Sequence, residues 1–95
     1  SLNKQYLRYG RIEAKIRTEN GMQSGVWPAF WMMGNDIESG APWPYCGEID
    51  IMEHRNAEQN VIGTLHYNSG TGTSAGYAHQ WIGSEPMVNM VILAI

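Results

Sequence analysis

The stretch Gly47-Glu48-Ile49-Asp50-Ile51-Met52-Glu53 sets the tightest limit on how this chain can fold. Its β-branched isoleucines favour an extended strand over a helix. Side chains on a regular strand alternate between faces. Glu48 and Asp50 would then share one face, while Glu53 would point with Ile49 and Ile51 to the other. An isolated carboxylate among isoleucines in a core is very costly. One extra residue near Ile51–Met52, a β-bulge, shifts the parity and returns Glu53 to the face of Glu48 and Asp50. The stretch therefore predicts a bulged strand with its carboxylates on one side and apolar residues on the other.

The rest of the chain predicts more strands. In Tyr9–Thr18, Ile12, Ala14 and Ile16 alternate with Arg11, Glu13, Lys15 and Arg17, the period of a half-buried strand. Val26–Gly34 is apolar on both faces and predicts a covered strand, with Pro28 at its start, an edge or a bulge. Asn35–Tyr45 reads as a loop, His54–Gln59 as a polar turn and Asn60–Tyr67 as a further strand. Asn68–Gly76 is rich in Gly, Ser and Thr and is expected to be flexible. Met87–Ile95 fits either a strand or a buried helical turn. Short strands at regular spacing, with no repeat and no long helical pattern, predict an all-β antiparallel sandwich.

Composition narrows the function. Ninety-five residues make one small domain, with roughly 65% of the chain surface buried. The six Lys and Arg stand against nine Asp and Glu, and only Arg55 lies beyond Thr18, which removes a basic footprint for nucleic acid. No apolar run reaches the ~18 residues of a membrane-spanning helix. The single cysteine, Cys46, excludes an internal disulfide framework and a cysteine-based zinc site, and it reads as small filler. The chain opens at Ser1 without an initiator Met or a signal peptide, as expected of a processed or partial sequence.

With the bulge in place, Glu48 and Glu53 are about 13 Å apart along the strand. Inward-leaning side chains could bring their carboxyls to about 5–6 Å, near the spacing of retaining glycosidases. Asp50 between them would raise a neighbour's pKa and help one Glu stay protonated. The same carboxylates also fit a solvated strand face or the ligand set of a hard cation such as calcium. Trp27, Trp31 and Trp43 share a parity or lie just ahead of Glu48, and indole faces suit the C–H faces of sugar rings. Trp31 fits core packing equally well, and Trp81 has no assignment. His66 sits on the next strand, either structural or facing the same side. His54 and His79 are expected at the surface.

Tyr9-Gly10-Arg11-Ile12-Glu13-Ala14-Lys15-Ile16, Val26-Trp27-Pro28-Ala29-Phe30-Trp31-Met32, Trp43-Pro44 and the Gly47–Glu53 stretch together resemble glycoside hydrolase family 16, nearest to its laminarinase-type endo-β-1,3-glucanases. The resemblance covers about Tyr9 to Trp81 and leaves residues 82–95 outside it, so residues 1–95 are expected to form part of a family 16 catalytic domain. It implies a concanavalin A-like jelly roll, the antiparallel β-sandwich of the family. It implies Glu48 as nucleophile, Glu53 as general acid/base and Asp50 as the assisting carboxylate. Met52 is similar to the inserted residue of the family's bulged branch. Trp27, Trp31, Trp43 and His66 match cleft positions. Lys15 stands where the family usually carries Arg, which keeps the charge without bidentate bonding. The resemblance also implies a polysaccharide substrate, a secreted monomer, no nucleic-acid or membrane partner and no cofactor or metal for catalysis. The structural calcium site of the family lies on strands this chain does not include. A non-catalytic β-glucan recognition module and an agarase or carrageenase type remain open. So does a calcium-binding structural β-domain.

Overall fold

In β1 (Gly10–Arg17), Ile12, Ala14 and Ile16 turn inward while the charged residues between them stay exposed. This strand was found in a computed structural model, which describes residues 4–18, 23–58, 60–70, 74–82 and 87–94. The remaining strands are β2 (Ala29–Met33), β3 (Glu48–Glu53), β4 (Asn60–Asn68), β5 (Ser74–Ile82) and β6 (Met87–Ala94). All pairings are antiparallel. One sheet runs β2-β3-β4-β5, and a second pairs β1 with β6. Among the described residues, no helix is long and apolar enough to cross a membrane.

The two sheets form two layers. Ile51 and Met52 of β3 are the most deeply buried side chains, and Ile12 and Ile16 of β1 pack against them together with Phe30, Met32, Ile49 and Val61. Full burial of Ile51 and of Met52 contributes about 1.5–3 kcal/mol each, and the half-buried neighbours contribute less. The outer face of β1 carries an Arg11–Glu13 ion pair at 3.1 Å, too exposed to add much. Met87–Ala94 is a strand and not a helical turn. Its pairing with β1 over Gly10↔Ala94 to Arg17↔Met87 decides what periodicity left open.

The bulge lies where the parity argument puts it. Phe30 faces Met52 and Trp31 faces Asp50, so Ile51 has no partner on β2. On the other side, Asp50 pairs with Thr64 and Glu53 with Ile62, so Ile51 and Met52 of β3 stand against Gly63 alone on β4. The shift lets Ile51 and Met52 both reach the core while Glu53 leaves it.

Three details differ from expectation. Asn68 and Ser74–Gly76, expected in a flexible stretch, are paired strand residues of β4 and β5. The covered strand begins only at Ala29, so Trp27 precedes it and Pro28 stands just ahead of its first residue. The Asn35–Tyr45 loop contains a 3₁₀ helix over Asn35–Ser39, closed by Gly40 at φ 97°. Gly34 joins this helix to β2, and its N–H donates to the Gly47 carbonyl at 2.8 Å. A Cβ at Gly34 would fall 1.6 Å from the Cys46 carbonyl oxygen, so only glycine allows this approach.

Candidate active site

Directly paired residues in a sheet share a face. Glu48, Asp50 and Glu53 pair with Met33, Trp31 and Ala29 on β2, which alternate strictly. They pair with His66, Thr64 and Ile62 on β4, which alternate as well. Both neighbours therefore place all three carboxylates on one face, away from the Ile51–Met52 core.

Each glutamate is held by an indole. Trp43 Nε1–H donates to Glu48 Oε2 at 2.7 Å, and Trp27 Nε1–H donates to Glu53 Oε1 at 2.9 Å. Trp27, Trp31 and Trp43 are 63%, 49% and 46% exposed, which decides against core packing for all three, Trp31 included. Trp43 also lies against His66, with ring centroids 5.7 Å apart and tilted by 56°. His66 Nε2 is 3.0 Å from Asp50 Oδ2. That contact is electrostatic, because no donor is aligned on this buried oxygen.

Asp50 is the most buried of the three, at 3% exposure. Its pKa is raised from 3.8 to about 7, first by burial, then by a hydrogen bond with Glu48 and by the charges of Glu48 and Glu53, against the lowering effect of His66. The resolved shift thus falls on Asp50 itself, where the sequence pointed to a neighbouring Glu. Near neutral pH, a protonated Asp50 can donate to Glu48 and leave it as the anion.

Lys15 is not brought to this face. It projects from the exposed side of β1, in the other sheet, opposite Asn89 in register. The alternation that buries Ile16 turns Lys15 outward. His54 is not at the surface either: it is 6% exposed, its N–H donates to the Pro28 carbonyl, and its Nε2 contacts the Glu58 carbonyl. A turn that folds back on the preceding strand buries it, and local polarity gave no sign of that. His79 lies on β5, opposite Gly63. Trp81 lies on β5 as well, paired with Val61. Cys46 Sγ rests 3.6 Å from Met33 Sδ, in keeping with a filler role.

Glu48, Asp50 and His66 offer three donor atoms within 4.8 Å of one another and are the described residues best placed to hold a metal ion. The donor set mixes one imidazole with two carboxylates, unlike the all-oxygen sets of calcium.

The sequence reading missed Arg55, whose guanidinium carbon lies 6.0 Å from the centre of the Trp27 ring. It also missed Asn56, which binds the segment ahead of Trp27. The one available signal was that both lie within three residues of Glu53.

The chain is similar to known proteins in sequence and in fold. A keratan-sulfate endo-1,4-beta-galactosidase of Sphingobacterium multivorum is 40% identical over 76 residues, covering 80% of this chain and 18% of its own length. A glucan endo-1,3-beta-glucosidase of Cryptopygus antarcticus is 44% identical over 62 residues, or 64% of this chain and 22% of its own length. The laminarinase catalytic domain from Thermotoga maritima MSB8 superposes with a TM-score of 0.74 at 33% identity, over 98% of this chain and 39% of that one. The chain thus spans about a fifth of the two curated relatives. The model of the XgeA-like catalytic GH16 domain matches residues 10–89. By its bulged E-I-D-I-M-E strand and this match across most of its length, the chain belongs to glycoside hydrolase family 16.

Proposed function

We propose that the protein carrying this chain is a retaining endo-glycosidase that hydrolyses β-1,3-glucan of the laminarin kind, or mixed-linkage β-glucan. The observation that carries the reading is the pair of glutamates on one sheet face, each fixed by an indole, with Asp50 between them. Glu53 protonates the glycosidic oxygen while Glu48 attacks the anomeric carbon, and a covalent glycosyl-enzyme forms. Glu53 then takes a proton from water, which attacks the same carbon and frees Glu48. Asp50 donates to Glu48 and steadies its charge. The exposed faces of Trp31 and Trp43 offer platforms for sugar rings, and His66 backs Asp50. The reading includes no metal or cofactor for the chemistry, a polysaccharide as the sole partner, and secretion as a monomer, since a polymer cannot enter a cell.

A second reading keeps the mechanism and changes the polymer. The similarity to a keratan-sulfate galactosidase favours a β-galactan substrate of the agarase or carrageenase type. Retention of all three carboxylates speaks against a non-catalytic recognition module.

The test uses the full-length protein, with Glu48→Gln as control, on laminarin, lichenan and agarose. Cleavage of laminarin, lost in Glu48→Gln while binding persists, is the expected result. Cleavage of agarose alone would replace the substrate. Release of the inverted anomer would remove Glu48 from the nucleophile's role.

A further inference from the structure

A more specific role emerges for the turn that follows Glu53. We propose that the Arg55–Asn56 turn is a positioning element for the general acid/base, acting on Glu53 through Trp27. The inference rests on the glycosidase reading above and adds residues which that reading leaves unused.

Trp27 is 63% exposed, so packing alone cannot fix its ring. Its place is set by what surrounds it in the chain. The Asn56 N–H donates to the Val26 carbonyl at 2.8 Å, and the Gly25 N–H donates to Asn56 Oδ1 at 2.8 Å. On the other side of Trp27, the His54 N–H donates to the Pro28 carbonyl at 3.1 Å. Three hydrogen bonds thus tie residues 25–28 to residues 54–56 and bracket Trp27 from both sides. The Arg55 guanidinium lies 6.0 Å from the centre of the indole, within reach of a cation–π contact. Its other contact is Glu58, at 3.6 Å.

The indole completes a closed circuit. Its Nε1–H reaches Glu53 Oε1, and Glu53 is bonded through His54 to the turn that holds the indole. Asn56 has φ 52°, a left-handed conformation that Asn and Asp tolerate and most residues do not. With Oε1 engaged by the indole, Oε2 is the oxygen left to deliver and recover the proton. General acid catalysis depends on such aim, because the proton must arrive within hydrogen-bond distance of the leaving oxygen. Arg55, Asn56 and Trp27 are positioning residues here; Glu53 is the catalytic one.

The experiment compares leaving groups in the full-length protein. Laminarin needs protonation of its leaving oxygen, whereas a dinitrophenyl β-laminarioligosaccharide does not. Trp27→Phe keeps the ring and removes the N–H. In single turnovers it should slow cleavage of laminarin by about tenfold to a hundredfold, the weight of a hydrogen bond to a charged group, with little loss in the first step on the dinitrophenyl substrate. Asn56→Ala should show the same selectivity to a lesser degree. Asn56→Asp, which keeps the acceptor and the left-handed backbone, should recover most of it. Equal losses on both substrates, or a rise in KM alone, would reduce Trp27 to a sugar platform and overturn the proposal. A readout free of turnover accompanies this. The Trp27 indole N–H resonance should move in Glu53→Gln and exchange faster in Asn56→Ala, and a resonance indifferent to both would also overturn it. A wild-type protein that cleaves neither substrate would refute the glycosidase reading itself, and the indole resonance then decides the contact.

Discussion

The two ends of β3 carry the same amino acid in unlike surroundings. Glu48 is enclosed: an indole donates to it, Asp50 shares a hydrogen bond with it, and His66 stands behind Asp50. Glu53 has one indole, and the charge of Asp50 reaches it only through space. Under the proposed mechanism the contrast follows the two tasks. A nucleophile must stay anionic and still, so permanent donors help it. A general acid/base must give up and regain a proton in each cycle, and every extra fixed donor would hold it in one state.

The comparison can be broken most sharply at the Glu53 end. Glu53→Gln should slow hydrolysis of laminarin by about 10²–10⁴-fold and leave the first step on a dinitrophenyl glycoside nearly intact. Single-turnover kinetics with both substrates would show it, and equal losses would mean the two glutamates do not divide the work. At the other end, Trp43→Phe keeps the ring and removes the donor to Glu48. It should cost about tenfold to a hundredfold in kcat on both substrates alike, the weight of a hydrogen bond to a charged group. A loss confined to poor leaving groups would assign Trp43 to the wrong glutamate.

Asp50 sharpens the comparison through pH. Its folded pKa of about 7 stands above its ordinary 3.8, so between these values the unfolded chain releases the proton first. Stability should therefore fall as pH rises through that window, and Asp50→Asn should flatten the slope. Urea denaturation of the two proteins across the window measures it, and a slope unchanged in Asp50→Asn would place the proton elsewhere. The smallest effect on activity is expected beneath the site. Ile51→Ala should lower stability by about 2–5 kcal/mol while the surviving folded protein keeps its preference among leaving groups. Calorimetry beside the leaving-group assay would separate the two.

Much of this was readable before any coordinates. The bulge followed from one contradiction, a carboxylate assigned to a core, and the register at Asp50 and Glu53 resolves it as expected. The strand at Gly10–Arg17 followed from strict alternation. What stayed hidden depended on partners distant in sequence. Met87–Ala94 has no period that separates strand from helix, and only the edge offered by β1 settles it. Lys15 could be placed on the polar side of its strand but not in a sheet, so its separation from the carboxylates was invisible. His54 is buried by a turn folding back onto Pro28, and Trp27 turns its N–H toward Glu53 for the same reason. Polar composition marks such a turn without telling where it returns.

Gly34 has no side chain to offer a substrate. Yet its missing side chain is what lets Cys46 and Gly47 lie against the end of β2, one residue ahead of Glu48. Anyone randomising this protein for a new substrate would treat the position as free scaffold and find it a dead end. Each alternative residue would displace the backbone that leads into Glu48. A survey of tolerated substitutions would score Gly34 with the active site, although its only duty is to be absent.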